Sequence, residues 1–177
     1  MRTPSTPNAR RRTWTDSSRN SWNTNWCSMN RIAVSIADMM PVIEEKLAAG
    51  GEATITVKGT SMSPFFVDGK TRVTLKKPTE SLKKYDVILY ETDNGTITLH
   101  RIVGRKGEYF RTEGDGLRFG EVVASRSVKA VVSSFQNEDR ITASDDPQYL
   151  RRVRLWHVFR PFRRMLLWWW RRRCKTS

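Results

Sequence analysis

Short runs of alternating apolar and polar residues begin at Glu52, and they limit this chain to a fold made mainly of β-strands. In residues 53–58, Ala, Ile and Val alternate with Thr, Thr and Lys, which is the period of a half-buried strand. Turn signals separate the runs that follow, and Asn94-Gly95 favours a tight hairpin. The further predicted strands are residues 72–76, 86–91, 96–103, 108–112 and 127–135. We therefore expect a mainly β body.

One short helix is predicted before the first strand. An apolar stripe with helical spacing indicates that one face of this helix packs on the body. The stripe consists of Met39, Met40, Ile43 and Leu47. Asp38 is expected to cap the N-terminus of the helix, with Pro41 in its first turn and Gly50 at its end.

Charge divides the chain into three segments. Residues 1–28 carry five Arg and one Asp, and residues 147–177 carry nine Arg and one Lys with no acidic residue. Residues 29–146 hold 17 basic and 17 acidic residues, so their net charge is zero although the whole chain carries +14. A neutral segment of this length can bury one modest core. We expect residues 29–146 to form a single folded domain.

The N-terminal segment, residues 1–28, is rich in Ser, Thr, Asn, Arg and Pro without periodicity. Such a composition offers too little apolar area to offset the entropy cost of folding, which predicts disorder. Met29 opens a segment of different character, so these residues could instead be a spurious extension ahead of the true start. The intact mass of the native protein distinguishes the two interpretations.

Cysteine usage and apolar runs exclude several classes of protein. Cys27 and Cys174 lie in the two flanking segments, with no further thiol or histidine at metal-ligand spacing. The sequence therefore predicts no disulfide framework, no zinc site and no cofactor. No run reaches the roughly 18 apolar residues of a membrane-spanning helix, and the N-terminus lacks the apolar core of a secretory signal.

Two short motifs could supply the pair of groups that a serine hydrolase needs. Residues 59–64 read Gly-Thr-Ser-Met-Ser-Pro and contain Ser61, and residues 99–103 contain His100. A hydroxyl is a poor nucleophile at neutral pH, and an imidazole with an ordinary pKa near 6.5 is able to take its proton. Alone, Ser61 fits a turn between strands and His100 fits a buried strand histidine. Together they predict a Ser/His pair.

Three blocks of sequence resemble the catalytic domain of the type I signal peptidase and LexA-like serine peptidase superfamily. The blocks are residues 59–64 (Gly-x-Ser-Met-x-Pro), residues 85–90 leading into residues 99–103 (Leu-His-Arg-Ile-Val), and residues 113–116 (Glu-Gly-Asp-Gly). Their order and spacing are similar to those of the family, and the match covers roughly residues 52–135. The resemblance implies a coiled β-sheet catalytic domain, and the residue patterns add a short N-terminal helix and a C-terminal basic amphipathic helical tail.

The resemblance also implies roles for the site residues. Bacterial signal peptidases and LexA use a lysine base, whereas the endoplasmic-reticulum type has a histidine at the position of His100. Ser61 would be the nucleophile, His100 the base and then the acid, and Asp115 the carboxylate that orients the imidazole. Glu121 stands near the place where histidine-type relatives have a further acidic residue. There are therefore two alternatives: Glu121 is the third catalytic residue in place of Asp115, or Ser61 and His100 act as a dyad without a third residue.

Two positions depart from the family pattern. Signal peptidases often have a serine two residues before the nucleophile, where this chain has Gly59. The backbone N–H groups near Thr60 and Ser61 would then have to form the oxyanion hole. The pair Asp68-Gly69 reverses the Gly-Asp order that usually follows the nucleophile turn.

The C-terminal segment, residues 147–177, interleaves arginines with large apolar residues. This composition predicts two short amphipathic helices separated at Pro161. Trp prefers the headgroup level of a bilayer, and each Arg adds about 1 kcal/mol near an anionic surface, which favours membrane docking. The residues expected to dock are Arg163, Arg164, Trp168, Trp169 and Trp170.

Two other roles for this tail are open. Its aromatic residues could pack back on the body, or its Arg and aromatic side chains could bind nucleic acid. The contiguous apolar run at residues 166–170 favours lipid over nucleic acid. We expect a peripheral protein on an anionic membrane surface, and the Arg excess favours the cytoplasmic face.

Three functions follow from these observations. The first is a serine endopeptidase that removes signal or leader segments from peptides or preproteins at the membrane surface. The second is a LexA-like regulator that cleaves itself, because Ala49-Gly50 resembles the scissile pair of that branch. Only 11 residues separate Gly50 from Ser61, which disfavours it. The third is a non-catalytic membrane-binding module that keeps the peptidase fold.

Overall fold

The computed structural model describes residues 35–159, and the structural statements below concern those residues. Within them, eight strands lie between two helices in the chain. The helices are α1 Ile36–Ala48 and α2 Pro147–Val158. The strands are β1 Ala53–Thr56, β2 Arg72–Lys76, β3 Val87–Glu91, β4 Ile97–Lys106, β5 Tyr109–Glu113, β6 Gly120–Ala124, β7 Val128–Asn137 and β8 Arg140–Ala143. The prediction of a mainly β body is confirmed.

The strands predicted from alternation are present, with small shifts at their ends. β2 has the predicted bounds, and β4 continues to Lys106 beyond the predicted end at residue 103. β6 and β8 were not predicted. Both are short and mostly exposed, so their sequences carry little of the apolar alternation that marks a half-buried strand.

Helix α1 begins three residues earlier than predicted. The Oγ atom of Ser35 accepts a hydrogen bond from the N–H of Ala37 at 3.3 Å, so Ser35 is the N-cap. The prediction of Asp38 as the cap is wrong, since Asp38 lies in the first turn, where its charge favours the helix dipole. Pro41 lies inside the helix rather than in its first turn. The buried face consists of Met40, Ile43 and Leu47.

All strands pair antiparallel in one sheet with the order β1-β2-β7-β3-β4-β5-β6, and β8 pairs with β7. β7 has the most partners, since it pairs with β2, β3 and β8 along its ten residues. β3 lies between β7 and β4, so both of its edges are hydrogen-bonded. This position holds β3 and β4 rigidly next to one another.

Two apolar clusters lie on opposite faces of β3. Val87 and Leu89 point into the larger cluster, which also includes the buried faces of α1 and α2. Ile88 and Tyr90 point into a smaller cluster formed with β4, β5, β6 and β7. Four consecutive residues of β3 are therefore buried, because the sheet is covered on both sides at this strand.

Helix α2 occupies the start of the segment predicted as a basic tail. Asp146 caps it, since its Oδ1 accepts the N–H of Tyr149 at 2.7 Å. Tyr149 and Val153 are buried in the larger cluster, while the three arginines of the helix are exposed. Residues 147–159 thus pack on the body, as in the alternative in which the tail's aromatic residues fold back.

The remaining tail predictions concern residues beyond the described part of the chain. Pro161 and the proposed docking residues Arg163, Arg164 and Trp168–Trp170 lie outside residues 35–159, as does the predicted extension 1–28. Among the residues described, neither helix is long and apolar enough to cross a membrane.

Candidate active site

The turn that carries Ser61 follows β1 and is closed by the Asp68-Gly69 pair. Gly59 has a φ of +89°, which favours glycine, and its N–H donates to Asp68 Oδ1 at 2.8 Å. The N–H of Gly69 donates to the carbonyl oxygen of Val57 at 2.9 Å. The Asp68-Gly69 pair therefore has a structural role, because its two hydrogen bonds close the loop around the turn.

Buried side chains fix this turn on the body. Met62 and Phe66 are 1% and 0% exposed, and both lie in the larger cluster. The N–H of Phe66 donates to the carbonyl oxygen of Met62 at 3.0 Å, which makes one helical turn after Ser61. Ser61 itself is partly exposed at the edge of this packed segment. A reacting carbonyl can thus approach Ser61 from solvent while its backbone stays fixed.

The loop after β5 packs directly against Ser61. The N–H of Gly116 donates to the carbonyl oxygen of Ser61 at 2.8 Å. A Cβ on Gly114 would lie 2.6 Å from the same oxygen, and a Cβ on Gly116 would lie 2.8 Å from the carbonyl oxygen of Thr60. Only glycine fits at these two places. The structure therefore brings together two of the three sequence blocks, residues 59–64 and 113–116.

The same loop connects Ser61 to the strand that carries His100. Glu113 is the register partner of Arg101 in the β4–β5 pair, and Gly114 follows it directly. Gly114 thus contacts Ser61 and directly follows the residue that pairs with Arg101, the neighbour of His100 in β4. Among the described residues, no hydrogen bond joins Ser61 Oγ to His100, so the catalytic pair stays a prediction.

His100 is buried in β4, with 5% of its surface exposed. Its Nδ1 atom lies 2.9 Å from the hydroxyl oxygen of Tyr90. Burial lowers the pKa of His100, and the charges of Glu121 and Asp115 only partly offset this effect. The imidazole is therefore neutral at pH 7. Within residues 35–159, no group hydrogen-bonds its Nε2 atom, which leaves that nitrogen available to a hydroxyl proton.

Tyr90 connects His100 to Glu121. Its hydroxyl donates to Glu121 Oε2 at 2.7 Å and accepts from Thr112 Oγ1 at 3.3 Å. Burial raises the pKa of Tyr90 well above its ordinary value, so the phenol stays protonated. Sequence reasoning missed Tyr90. The signal was present, since the predicted β3–β4 hairpin pairs Tyr90 with Thr98, and Thr98 shares a face with His100.

Asp115 contacts Arg101 rather than His100. Nε of Arg101 donates to Asp115 Oδ1 at 2.9 Å, and Nη2 donates to Oδ2 at 2.6 Å. Both side chains are fully buried. Burial alone would raise the pKa of Asp115, but Arg101 and His157 lower it below the ordinary value. The resemblance gave Asp115 the role of orienting the imidazole, and among the described residues no hydrogen bond supports that role.

Arg101 also donates hydrogen bonds to Tyr85 and to Tyr149 of α2. Nη1 donates to the carbonyl oxygen of Tyr85 at 2.9 Å, and Nη2 donates to the hydroxyl oxygen of Tyr149 at 2.8 Å. Tyr85 has a φ of +83°, a strained value for a non-glycine residue. Nε1 of Trp156 donates to the carbonyl oxygen of Asp115 at 2.8 Å. Tyr149 and Trp156 are both in α2, so this helix supports the loop that holds Ser61.

The backbone around Ser61 offers donors for a developing oxyanion. Within the described part of the chain, neither the N–H of Thr60 nor that of Ser61 donates a hydrogen bond to protein. Both lie in the turn predicted to form a backbone oxyanion hole. They are therefore available to a substrate carbonyl oxygen.

A cavity of about 600 Å³ lies beside the β3–β4 hairpin. It is lined by the tip of the β3–β4 hairpin and by β6, and Tyr90 and Glu121 both form part of its wall. The carboxylate of Glu121 is exposed in this cavity. The hydrogen-bond chain that starts at His100 thus ends at solvent.

No protein-family model matches this chain, and no curated protein is significantly similar to it.

Proposed function

We propose that this protein is a serine endopeptidase with the coiled β-sheet fold of the signal peptidase and LexA-like superfamily. Ser61 is its nucleophile and His100 is its general base. The observation that carries the proposal is the contact of the Ser61 carbonyl with Gly114 and Gly116, beside the strand that carries His100. The proposal adds that the partly exposed hydroxyl of Ser61 reaches Nε2 of His100 when substrate binds.

The reaction is an acyl transfer in two steps. Nε2 of His100 takes the proton of Ser61 Oγ while that oxygen attacks the scissile carbonyl carbon, and the N–H groups of Thr60 and Ser61 bind the oxyanion. His100 then gives the proton to the leaving amine, which breaks the peptide bond and leaves an acyl-Ser61 ester. A water deprotonated by His100 hydrolyses this ester and restores the free hydroxyl.

Ser61 and His100 share no hydrogen bond within the described residues, and the proposed mechanism forms one when substrate binds. Catalytic hydrogen bonds are often long or absent before substrate binds and shorten in the complex. Burial lowers the pKa of His100, so the base is already deprotonated at neutral pH. We therefore expect the acidic limb of kcat/KM to lie below about pH 6.5, the ordinary histidine value.

The substrate we propose is the signal or leader segment of a peptide or preprotein at an anionic membrane surface. The Arg and Trp residues of the C-terminal segment support this location, since that composition partitions to the bilayer interface. A family-like pocket would accept small residues beside the cleaved bond. The membrane part of the proposal is tested by co-sedimentation with anionic vesicles, comparing wild type with a Trp168→Ala, Trp169→Ala, Trp170→Ala variant.

The peptidase proposal is tested without knowledge of the natural substrate. Purified protein with anionic vesicles is incubated with a library of extended synthetic peptides, and new N-termini are identified by mass spectrometry. Ser61→Ala and His100→Ala should abolish cleavage. Ser81→Ala is the control and should keep cleavage, because it removes an exposed hydroxyl outside the three sequence blocks. Cleavage that persists in Ser61→Ala, or an inactive wild type, would argue against the proposal.

The two alternative functions appear as outcomes of the same experiment. Self-cleavage would produce a chain that begins at Gly50. The structure disfavours this, because Ala49 has φ −73° and ψ 5° and its N–H donates to Glu45 at the end of α1, whereas peptidases bind extended segments. Vesicle binding without any cleavage would instead indicate a non-catalytic membrane-binding module.

A further inference from the structure

The hydrogen bonds around the hydroxyl of Tyr90 have one consistent arrangement. A phenol oxygen has one proton to donate and accepts at most two bonds, and Tyr90 has three partners. They are Glu121 Oε2 at 2.7 Å, His100 Nδ1 at 2.9 Å and Thr112 Oγ1 at 3.3 Å. An ionised carboxylate only accepts, so the single proton of Tyr90 goes to Glu121.

No proton of Tyr90 then remains for the other two partners. The hydroxyl proton of Thr112 has two acceptors in reach, the Tyr90 oxygen at 3.3 Å and the carbonyl oxygen of Glu121 at 3.4 Å. His100 must donate to Tyr90 through an N–H at Nδ1, since that is the only proton available between the two atoms. A neutral imidazole carries one N–H, so its lone pair lies on Nε2.

We propose that Tyr90, held by Glu121, is a positioning residue that fixes His100 in the Nδ1–H tautomer and leaves Nε2 as the proton acceptor. The catalytic consequence rests on the proposed function, but the tautomer is a property of the resting protein. Glu121 is then the third residue beside Ser61 and His100, and it acts on His100 through Tyr90. Asp115 instead forms the buried ion pair with Arg101. The geometry thus separates the two carboxylates that the sequence left as alternatives.

The surroundings of Tyr90 support a fixed hydroxyl rather than a ring that only fills space. The side chain is 0% exposed and packs in the smaller cluster, so the ring cannot turn away. A buried hydroxyl without partners costs about 1–3 kcal/mol, and phenylalanine would fill the same volume without that cost. The hydroxyl is placed where it contacts three polar groups on β4, β5 and β6.

Nitrogen-detected NMR of uniformly labelled full-length protein tests the tautomer directly. The chain has only two histidines, so a His157→Gln variant assigns the His100 signals. We expect wild type to have Nδ1 protonated and Nε2 unprotonated. In Tyr90→Phe, the Nδ1–H loses its acceptor and both tautomers should be populated. In Glu121→Ala, the freed proton of Tyr90 can turn to Nδ1, which should shift His100 to the Nε2–H tautomer.

Kinetics and a pKa provide readouts that a purely structural role would not change. The assay substrate is the library peptide that wild type cleaves fastest. General base catalysis contributes about 10²- to 10⁴-fold to rate, so kcat should fall about 10- to 100-fold in Tyr90→Phe and in Glu121→Ala, with KM unchanged. Glu121→Ala should also lower the pKa of His100 further, since the Glu121 charge raises it and only Asp115 remains. Tyr109→Phe is the control, because Tyr109 lines the same cavity and is exposed.

Each outcome decides the proposal. An Nε2–H tautomer in wild type, or a His100 tautomer and kcat that both stay unchanged in Tyr90→Phe, would overturn it. If Tyr90→Phe does not fold, Glu121→Ala gives the same decision, since Glu121 is exposed. Loss of cleavage in Ser61→Ala with no change in the His100 tautomer in either variant would leave the peptidase intact and remove only the role of Tyr90.

Discussion

The N–H of Gly116 donates to the carbonyl oxygen of Ser61 at 2.8 Å, so the loop after β5 holds the turn that carries the proposed nucleophile. Gly114 packs against the same carbonyl oxygen so closely that there is no room for a Cβ. Residues 59–64 and 113–116 are far apart in sequence but form one packed unit. The position of Ser61 therefore depends on two glycines that have no side chain to take part in chemistry.

Replacing Gly114 with Ala should displace Ser61. The new Cβ would lie 2.6 Å from a backbone oxygen, which cannot move aside like the end of a side chain. Overpacking of this kind costs about 1–3 kcal/mol, and we expect a lower urea midpoint together with a large loss of peptide cleavage. Gly104→Ala is the matched control, because its Cβ would meet only Arg111 at 3.9 Å. Equal stability and activity of the two variants would refute this account.

Replacing Asp115 with Asn should destabilise the fold strongly. The change leaves the buried charge of Arg101 without a counter-ion, and breaking a buried pair in this way costs about 3–5 kcal/mol. Chemical unfolding in urea measures the loss. Glu44→Gln is the control, since it breaks a partly exposed pair with Lys129 that is worth at most about 1 kcal/mol. A loss in Asp115→Asn no larger than in the control would show that the buried pair contributes little.

Most strands were predictable because alternation of apolar and polar residues is a local signal, whereas the site depends on contacts between distant segments. β2 needed only its own five residues to be recognised. Ser35 could also have been found, because Ser35 and Asp38 have the spacing of a capping box. The partner of Asp115 could not, since nothing in the spacing of Arg101 and Asp115 shows that both lie in one buried pocket.

His100 should make stability depend on pH. Burial lowers its pKa in the folded state, so the unfolded chain binds more protons than the native one below about pH 6.5. The free energy of unfolding should therefore fall as pH drops below that value, and the contribution is fully present above it. Urea unfolding of wild type and His100→Gln at several pH values measures this. A slope between pH 6.5 and 5 that is as steep in the variant as in wild type would exclude His100 as the cause.

Removal of the Asp68 carboxylate should loosen the turn that carries Ser61. The N–H of Gly59 would lose its acceptor, and a hydrogen bond to a charged group is worth about 1.5–3 kcal/mol at most. Because Asp68 is exposed, water can replace part of this, and we expect a small loss of stability with faster amide exchange at Gly59 in Asp68→Ala. Asp93→Ala, in an exposed hairpin tip, should leave that exchange rate unchanged. Unchanged exchange in Asp68→Ala would mean that the other contacts of the turn, which include buried Met62 and Phe66 and the Gly116 hydrogen bond, are sufficient to hold it.

Replacing Trp156 with Phe should show whether α2 supports the active-site loop. The variant removes the bond from Nε1 to the carbonyl oxygen of Asp115 but keeps an aromatic ring beside Phe65. We expect a loss of about 1 kcal/mol in unfolding free energy, and a lower kcat because the loop also holds Ser61. Leu155→Ala is the control, since Leu155 is on the same helix but 52% exposed. If the two variants have equal kcat, α2 stabilises the domain without positioning Ser61. A fall in kcat confined to Trp156→Phe would mean that α2 positions Ser61 through the carbonyl oxygen of Asp115.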